Sequence, residues 1–464
     1  MITRRNLIAG SAAVSLSAPG LGVLAQSATP AASPIASPVA APPTSSEVVP
    51  AWLDAQEALR ERGQTAAAAF MSGDLETLIA LASPEIATAL QTGFDPADLI
   101  ETYTGNQIQF AFHEVGAWFF GQYTPEAISG VFSQGGPIAW EATPEDAQTS
   151  DVPTGTWNGV IGPGVIDLGI MLEFSGDAEL LEVNLSIPSQ MLLRHPMTDV
   201  LMAEEIPVGE MVDERVLPMG GDVVMTNMYA QQYAWGSNTL MLLTVWNGAG
   251  EIIGLNFAPQ GTLPEIETPE PIVARLPFDG AWAVFWGGET EFRNYHAPAA
   301  SQRHAVDLVV WRDGATTTAP GTANETYHAF GQPYLAPVDG TVAAVLDGLD
   351  DIAPQASGSN PNDHPAGNHV VIESDGGFVY LAHCQNGSIQ VQVGDTVAAG
   401  DVVAAVGNSG NTSEPHVHIH AQTTLDMFDP AGIGIPLIFE GAAENGEPAE
   451  QLSLQQGTIV EHDI

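Results

Sequence analysis

The stretch Pro415-His416-Val417-His418-Ile419-His420 decides how the C-terminal third of this chain is interpreted. Side chains two residues apart on a β-strand point to the same side, so the alternation predicts three imidazoles on one face of a strand. One neutral imidazole can bind a metal while a second one beside it acts as an acid or a base. Nine of the twelve histidines fall between His296 and His420, and this clustering favours a zinc site over isolated structural histidines.

Short runs rich in Val, Ile, Ala and Tyr surround this stretch and are separated by Gly and Asp. Examples are residues 340–345, 369–373 and 400–406. Six or more such runs predict an antiparallel sheet or sandwich, which is a rigid scaffold for a metal site. The predicted fold class is therefore a mainly β C-terminal domain preceded by an α+β accessory region.

The first 25 residues predict an export signal. Arg4 and Arg5 precede an apolar, small-residue run that ends in a plausible cleavage site at Val23-Leu24-Ala25. This order is typical of a Tat-type signal, and an ordinary secretory signal that carries two arginines is the alternative. Residues 26–46 are rich in Ala, Pro and Ser and predict a disordered linker. No later stretch has about 18 uninterrupted apolar residues, so we expect a secreted or envelope-associated protein without a transmembrane span.

The chain is strongly acidic, with 10 basic residues, all of them Arg, against 56 acidic ones and a formal net charge of -46. Such a charge repels nucleic acid and anionic lipid, so a nucleic-acid partner is not expected. Cys384 is the single cysteine, which excludes an intrachain disulfide. The pattern does not determine the oligomeric state.

Residues 47–150 predict an α+β accessory domain. The apolar spacing from Trp52 to Phe70 predicts an amphipathic helix, and Ser72-Gly73-Asp74 separates it from a second helix. Residues 70–90 and 250–260 resemble the opening and the end of small cystatin-like, nuclear-transport-factor-like accessory domains. Residues 151–262 predict a β-rich region that is either an insert or a separate domain.

Four blocks of the C-terminal part, in order, resemble the lysostaphin-like, LytM-type zinc metalloendopeptidases, which cut peptidoglycan peptides. The blocks are HAVDLVV (304–310), GQPYLAPVDGTVAAV (331–345), GNHVVIESDGGFVYLAH (367–383) and VQVGDTVAAGDVVAAVGNSGNTSEPHVHIH (391–420). The resemblance covers about residues 278–422. We expect a peptidase domain over residues 272–440, followed by a C-terminal extension at residues 441–464.

The resemblance implies that zinc is the cofactor and that His296, Asp307 and His418 are its ligands. The usual family pattern places the first histidine four residues before the aspartate, where this chain has Arg303. His304 lies one residue from that place, and on a strand it would point away from Asp307.

Asn294-Tyr295-His296 resembles the Asn-x-His element of a subgroup that delivers the first histidine from a longer excursion. The Gln-Arg-x-Ala-x-Asp element that follows in this subgroup matches residues 302–307. His296 is therefore favoured as the first ligand, with His304 as the alternative.

Two histidines and one aspartate would leave a position on zinc for water, as in catalytic rather than structural sites. His416 shares a face with His418 and can act as a general base or orient the water. His383 can stabilise the oxyanion or protonate the leaving amine, and the sequence does not separate these roles. His420 is interpreted as an ordinary buried polar residue, with a supporting role at the metal as the alternative.

The expected function is that of an exported zinc-dependent endopeptidase, which hydrolyses peptide bonds in peptidoglycan with a zinc-activated water. One alternative is a catalytically inactive LytM-like protein that binds the cell wall or activates another hydrolase. The complete candidate ligand set disfavours it. A second alternative is an endopeptidase that acts on Gly-rich or other secreted proteins. The pattern indicates neither the bond that is cleaved nor the role of residues 47–262.

Overall fold

A computed structural model describes residues 40–92, 95–105, 107–112, 117–124, 127–132, 136–140, 152–161, 168–177, 180–190, 192–203, 205–220, 227–261, 263, 265–318, 321–354, 364–429 and 431–462. The predicted export signal and most of the predicted linker lie outside these residues. The described part is mostly β, with helices on its N-terminal side, which confirms the predicted fold class. None of its helices is long and apolar enough to cross a membrane.

The chain divides into two compact units. The accessory unit contains residues 58–216 and 228–265. The C-terminal unit contains, among the described residues, 40–57, 217–220, 227 and 266–462. Two distant segments contact the core of this C-terminal unit, since Trp52 Nε1 donates to the Gly457 carbonyl at 3.1 Å and Trp311 Nε1 donates to the Pro218 carbonyl at 2.7 Å. The domain bounds drawn from the sequence stay predictions.

The helices of the described chain lie near its N-terminal end. They are α1 (Ser45–Ser72), α2 (Leu75–Leu81), α3 (Pro84–Thr92) and α4 (Pro96–Thr104). Gly73 has a φ of 71°, which glycine adopts without strain, and it separates α1 from α2. Asp74 caps α2, because its carboxylate accepts a hydrogen bond from the Thr77 amide at 3.1 Å. The predicted break at Ser72-Gly73-Asp74 is confirmed.

Antiparallel sheets follow the helices. A nine-stranded sheet has the order β8-β7-β6-β5-β4-β3-β2-β1-β9, and a four-stranded sheet has the order β10-β11-β12-β13. The strands are β1 (Gln107–Phe112), β2 (Ala117–Thr124), β3 (Ala127–Phe132), β4 (Gly136–Trp140), β5 (Gly155–Ile161), β6 (Leu168–Ser175), β7 (Glu182–Ile187), β8 (Leu192–Pro196), β9 (Thr198–Ala203), β10 (Met211–Leu217), β11 (Asn227–Trp235), β12 (Asn238–Trp246) and β13 (Ile252–Gln260). In the accessory unit, Phe70 of α1 packs on Phe257 of β13 with ring centroids 5.1 Å apart.

The C-terminal unit is built on a larger sheet with the order β21-β18-β19-β20-β23-β16-β15-β28-β26-β27, and β24 also pairs with β23. Its strands are β14 (Ile272–Ala274), β15 (Trp282–Trp286), β16 (Val306–Val309), β17 (Pro333–Leu335), β18 (Gly340–Leu346), β19 (Asn368–Ser374), β20 (Gly377–Cys384), β21 (Thr396–Val397), β22 (Val402–Ala405), β23 (Val417–Gln422), β24 (Gly434–Ile435), β25 (Leu437–Phe439), β26 (Ala442–Glu444), β27 (Glu447–Ala449) and β28 (Ile459–His462). Two small pairs, β14-β25 and β17-β22, complete it. The predicted C-terminal extension supplies β26, β27 and β28, and β28 pairs with β15.

Strand β23 lies between β16 and β20 and determines where the site is formed. His418 stands opposite Asp307 on β16 and opposite Ala382 on β20. Val417 and Ile419 belong to the hydrophobic core of the unit, and both are fully buried. Because side chains alternate along a strand, His418 projects from the other face of the sheet.

Candidate metal centre

Asp307 and two histidines form a buried cluster at the middle of the sheet. His418 Nδ1 lies 2.8 Å from Asp307 Oδ1, and His296 Nε2 lies 3.1 Å from Asp307 Oδ2. One nitrogen or oxygen from each of the three side chains lies within 4.8 Å of the others. The fold thus brings together the three predicted ligands from a loop and two adjacent strands.

Asn294 shapes the loop that carries His296 between β15 and β16. Its side chain is fully buried, and its amide donates to the Ala305 carbonyl at 2.9 Å. Its Oδ1 accepts from the His296 backbone amide at 3.1 Å. The bond to Ala305 joins the start of this loop to its end. It explains how His296, eleven residues before Asp307 in the chain, comes to lie beside the Asp307 carboxylate. The ring of Tyr295 covers His296 with centroids 3.9 Å apart.

His304 lies in a turn that ends before β16 begins at Val306. The expectation that strand alternation would orient it is therefore wrong, because strand geometry does not extend to this residue. Its Nε2 is buried and has no hydrogen-bond partner among the described residues, and His304 is not in either group of potential metal ligands found there. The geometry brings His296 rather than His304 to Asp307, and the ligand assignment stays a prediction.

The two predicted catalytic histidines lie beside this cluster. His416 Nε2 is 3.6 Å from Asp307 Oδ1, while its Nδ1 is 2.8 Å from the Glu414 carbonyl oxygen. His383 Nδ1 is 2.7 Å from the Ser409 carbonyl oxygen. A carbonyl can only accept, so each ring donates its Nδ1–H and keeps the lone pair on Nε2. Together with His418, both rings also form a second group of potential metal ligands.

His383 ends β20 in a left-handed backbone conformation with a φ of 58°. This conformation is uncommon for residues other than glycine and is held only where surrounding contacts require it. The His383 amide donates to the Ala366 carbonyl at 2.8 Å, and its carbonyl accepts from the Gly407 amide at 3.0 Å. The strained backbone therefore directs the His383 ring to the same side as His416, with ring centroids 4.8 Å apart.

The electrostatics of the cluster favour the ionised form of Asp307 and oppose charge on His418 and His383. Burial opposes ionisation of Asp307, but His296, His416 and His418 outweigh it and hold the pKa of Asp307 well below its usual value. Burial lowers the pKa of His418 and takes that of His383 well below its usual value. Burial also acts against the charge on His416, but the Asp307 carboxylate outweighs it and raises the pKa of His416.

A cavity of about 200 Å³ opens beside the cluster. Its walls combine small or apolar side chains with the site histidines: Tyr295, Ala299, Pro365, Ala366 and Met427 line it together with His296, His383 and His418. Tyr295 is half exposed there and can contact a bound chain. Sequence reasoning missed Tyr295 as a lining residue, and its place directly before His296 was the available signal.

The sequence comparison assigns the domain. Residues 326–430 match the family model described as Peptidase family M23. The C-terminal part of the chain is therefore a peptidase family M23, LytM-type domain, which confirms the resemblance. The matched stretch contains His383, His416 and His418 and begins after Asp307.

Solved structures of three peptidases are similar to this chain. One is a mutant catalytic domain of the prophage-encoded M23 protein EnpA from Enterococcus faecalis, with 20% identity, 37% of this chain and 92% of that chain covered, and a TM-score of 0.19. Another is the antimicrobial peptidase lysostaphin from Staphylococcus simulans, with 18% identity, 33% and 45% covered, and a TM-score of 0.18. A zinc containing peptidase from Vibrio cholerae has 11% identity, 66% and 74% covered, and a TM-score of 0.18. At these TM-scores the similarities carry no argument about function.

Proposed function

We propose that this protein is a zinc-dependent endopeptidase that hydrolyses peptide bonds in peptidoglycan. The observation that carries the proposal is the buried group of His296, Asp307 and His418, whose donor atoms lie within 4.8 Å of one another. Two nitrogens and one carboxylate oxygen fit the three-ligand set of catalytic zinc sites, which leave a position open. An ionised carboxylate and neutral imidazoles are also the protonation states that bind a metal.

Zinc bound by these three side chains would polarise the scissile carbonyl and make water a better nucleophile. His416 is the side chain suited to take the proton of the attacking water. Its Nε2 carries the lone pair because Nδ1–H is donated to the Glu414 carbonyl. The Asp307 carboxylate, 3.6 Å from this nitrogen, stabilises the imidazolium that forms.

His383 also lines the cavity, and like His416 it carries its hydrogen on Nδ1 and its lone pair on Nε2. Its Nδ1–H is donated to the Ser409 carbonyl, so its neutral ring can accept a proton at Nε2 but cannot donate one there. We assign it the later part of the reaction, in which its Nε2 accepts the remaining proton of the added water from the tetrahedral intermediate and passes it to the leaving amine as the C–N bond breaks. The oxyanion role would require His383 to be protonated beforehand, which its burial opposes.

Zinc content and peptide release from peptidoglycan test the proposal together. The purified chain should contain one zinc ion, and digestion of purified peptidoglycan should release peptides with new amino termini. A chelator should stop release, and added zinc should restore it. Stoichiometric zinc without release would favour the inactive binding or activator protein. Cleavage of a Gly-rich protein but not of peptidoglycan would favour the second alternative, and absence of zinc would contradict the proposal.

His296→Ala and His304→Ala are a matched pair for the ligand assignment, because both histidines precede Asp307 and only His296 contacts it. The His296 variant should lose zinc, while the His304 variant should keep it. Zinc retained in His296→Ala and lost in His304→Ala would reverse the assignment.

We also propose that the chain is exported through a Tat route and acts in the cell envelope or outside the cell. Arg4 and Arg5 and the apolar run after them support this proposal. Replacing both arginines with lysine should leave precursor inside the cell. Unimpaired secretion of that variant would indicate the general secretory route instead.

A further inference from the structure

We infer that His420 is a positioning residue that fixes the orientation and the tautomer of His418. The inference rests on the proposed zinc site. His418 Nδ1 faces Asp307 at 2.8 Å, and His418 Nε2 lies 3.0 Å from His420 Nδ1 on the opposite edge of the ring. The two nitrogens of His418 are thus divided between the metal centre and one other imidazole.

The direction of this hydrogen bond decides whether His418 can bind a metal. If His418 donates Nε2–H to His420 Nδ1, its Nδ1 keeps a lone pair toward the centre. If His420 donates instead, the proton of a neutral His418 must sit on Nδ1, where it blocks coordination. Metal-binding histidines generally donate their second ring N–H to a fixed acceptor, and His420 Nδ1 provides that acceptor here.

The ring of His420 is held in place by its own contacts. It is 1% exposed and stacks on Tyr380, with ring centroids 4.7 Å apart and an interplanar angle of 11°. Tyr380 stands opposite His420 across β20 and β23, and its hydroxyl donates to the Leu425 carbonyl. The stack therefore fixes the plane of the His420 ring, and in that plane Nδ1 faces His418.

The other nitrogen of His420 makes the arrangement specific. Its Nε2 is buried and makes no hydrogen bond of full geometry among the described residues, although the Gln422 side chain acts on this ring as an acceptor. An apolar ring of the same size would therefore lose little on this edge. The contact to His418 is the interaction that an apolar ring would not reproduce.

Three variants separate the acceptor from the packing. His420→Phe keeps a ring on Tyr380 and removes the acceptor, whereas His420→Asn places an amide oxygen near the position of Nδ1. His369→Phe is the matched control, because His369 is a buried histidine whose ring lies 5.8 Å from that of Tyr380 and whose Nδ1 bonds to the Gly367 carbonyl. Zinc Kd from competition with a chromophoric chelator and the visible spectrum of the Co²⁺-substituted protein are the readouts.

His420→Phe should raise the zinc Kd about tenfold to a hundredfold and change the Co²⁺ spectrum, as loss of a hydrogen-bond partner to a ligating histidine does. His420→Asn should recover part of the affinity, and His369→Phe should stay within about twofold of the wild-type chain. A folded His420→Phe protein with wild-type Kd, or an equal loss in His369→Phe, would overturn the inference.

If His420→Phe does not fold, His420→Asn and His420→Gln decide the question. The Gln side chain is one carbon longer and displaces the amide oxygen from the place of Nδ1. Tighter zinc binding by the Asn variant would support the inference, and equal binding by the two would overturn it. A wild-type chain that binds no zinc would instead contradict the proposed function, so the two failures are distinguishable.

Discussion

The accessory unit and the C-terminal unit each hold a carboxylate in a polar cluster, partly buried at Glu214 and buried at Asp307, but they surround it in different ways. In the accessory unit, Glu214 accepts from Arg60 at 2.7 Å, from Gln64 at 3.0 Å and from the Tyr229 hydroxyl at 2.8 Å. In the C-terminal unit, Asp307 is surrounded by histidines. The partners of Glu214 named here all act as hydrogen-bond donors. The imidazoles around Asp307 also carry lone pairs, which a cation would bind.

The difference shows how a buried polar cluster that stabilises a fold can be told from one that binds a ligand. Where donors surround a carboxylate, as at Glu214, the hydrogen bonds satisfy it and contribute to stability. Where several lone pairs point at the same place, as around Asp307, a bound cation is needed to satisfy them. The distinction can be tested by changing one member of each cluster.

The largest expected effect is at His418. His418→Ala should remove stoichiometric zinc and reduce peptide release to the background rate, because this residue is shared by both groups of potential ligands. Tyr229→Phe, in the network of the accessory unit, should keep the full zinc content. Metal analysis of the two purified proteins checks the prediction, and full zinc content in His418→Ala would show that the ligand assignment is wrong.

His416 and His383 come next. His416→Ala and His383→Asn should each slow hydrolysis by roughly a hundredfold or more while zinc stays bound. Asn is chosen at position 383 because it tolerates the left-handed backbone that His383 adopts. Steady-state rates and zinc content are measured on the same preparations. Zinc lost from both variants would instead favour the second ligand group, in which His383 and His416 join His418.

Glu414 is a buried carboxyl of the C-terminal unit that contrasts with Glu214. It is 2% exposed, and its Oε1 has no hydrogen-bond partner among the described residues. Burial raises the pKa of Glu414 to about 8, although the nearby His416 acts in the opposite direction. The stability that this raised pKa provides is complete below about 4.5, where the unfolded chain also keeps the proton, and it is lost as the pH rises toward 8.

Glu414→Gln removes this titration. The difference in unfolding free energy between the variant and the wild-type chain should grow in favour of the variant by about 2–4 kcal/mol as the pH rises from 5 to 8. Calorimetry of both proteins in the presence of a chelator checks the prediction without a contribution from bound zinc. Parallel stability curves for the two proteins over this range would contradict it.

Much of the fold and part of the site could be predicted from the sequence. The alternation around His416, His418 and His420 placed three rings on one face of a strand, because the period of a strand is fixed by its geometry. The family resemblance predicted Asp307 as a ligand, and the strand register places it opposite His418. Helix α1 ends at Ser72, where the Ser-Gly-Asp break was predicted.

The remaining features depend on the path of loops. The backbone carbonyls of Ser409 and Glu414 orient the rings of His383 and His416. Every residue has a backbone carbonyl, so the residue types in the sequence do not indicate which one contacts a histidine. The left-handed conformation of His383 was not predictable either, since histidine rarely adopts it without tertiary contacts. His420 was visible as a residue on the right face, but its contact with His418 required the positions of both rings.

The smallest expected effect is at Glu214, and it completes the comparison because its sign with pH is opposite to that of Glu414. Burial acts to raise the pKa of Glu214, but the hydrogen bonds from Gln64, Tyr229 and Arg60 outweigh it and lower the pKa. A lowered pKa contributes stability above the unfolded value of about 4.5 and loses it as the pH falls further. Glu214→Gln should therefore cost about 1 kcal/mol at pH 7, since Arg60 is partly exposed to water, and less at pH 4.

Calorimetry at both pH values checks this sign, with Glu210→Gln, an exposed acid in the segment just before β10, as the control that should change nothing. A cost that grows as the pH falls would mean that Glu214 is held protonated. The contrast between a carboxylate that accepts from several donors and a carboxyl with an unpaired oxygen would then not hold. The comparison would hold if the cost of Glu214→Gln becomes smaller as the pH falls while the gain from Glu414→Gln becomes larger as the pH rises. That pair of results would show that hydrogen-bond partners, rather than burial alone, determine the charge of each carboxyl group.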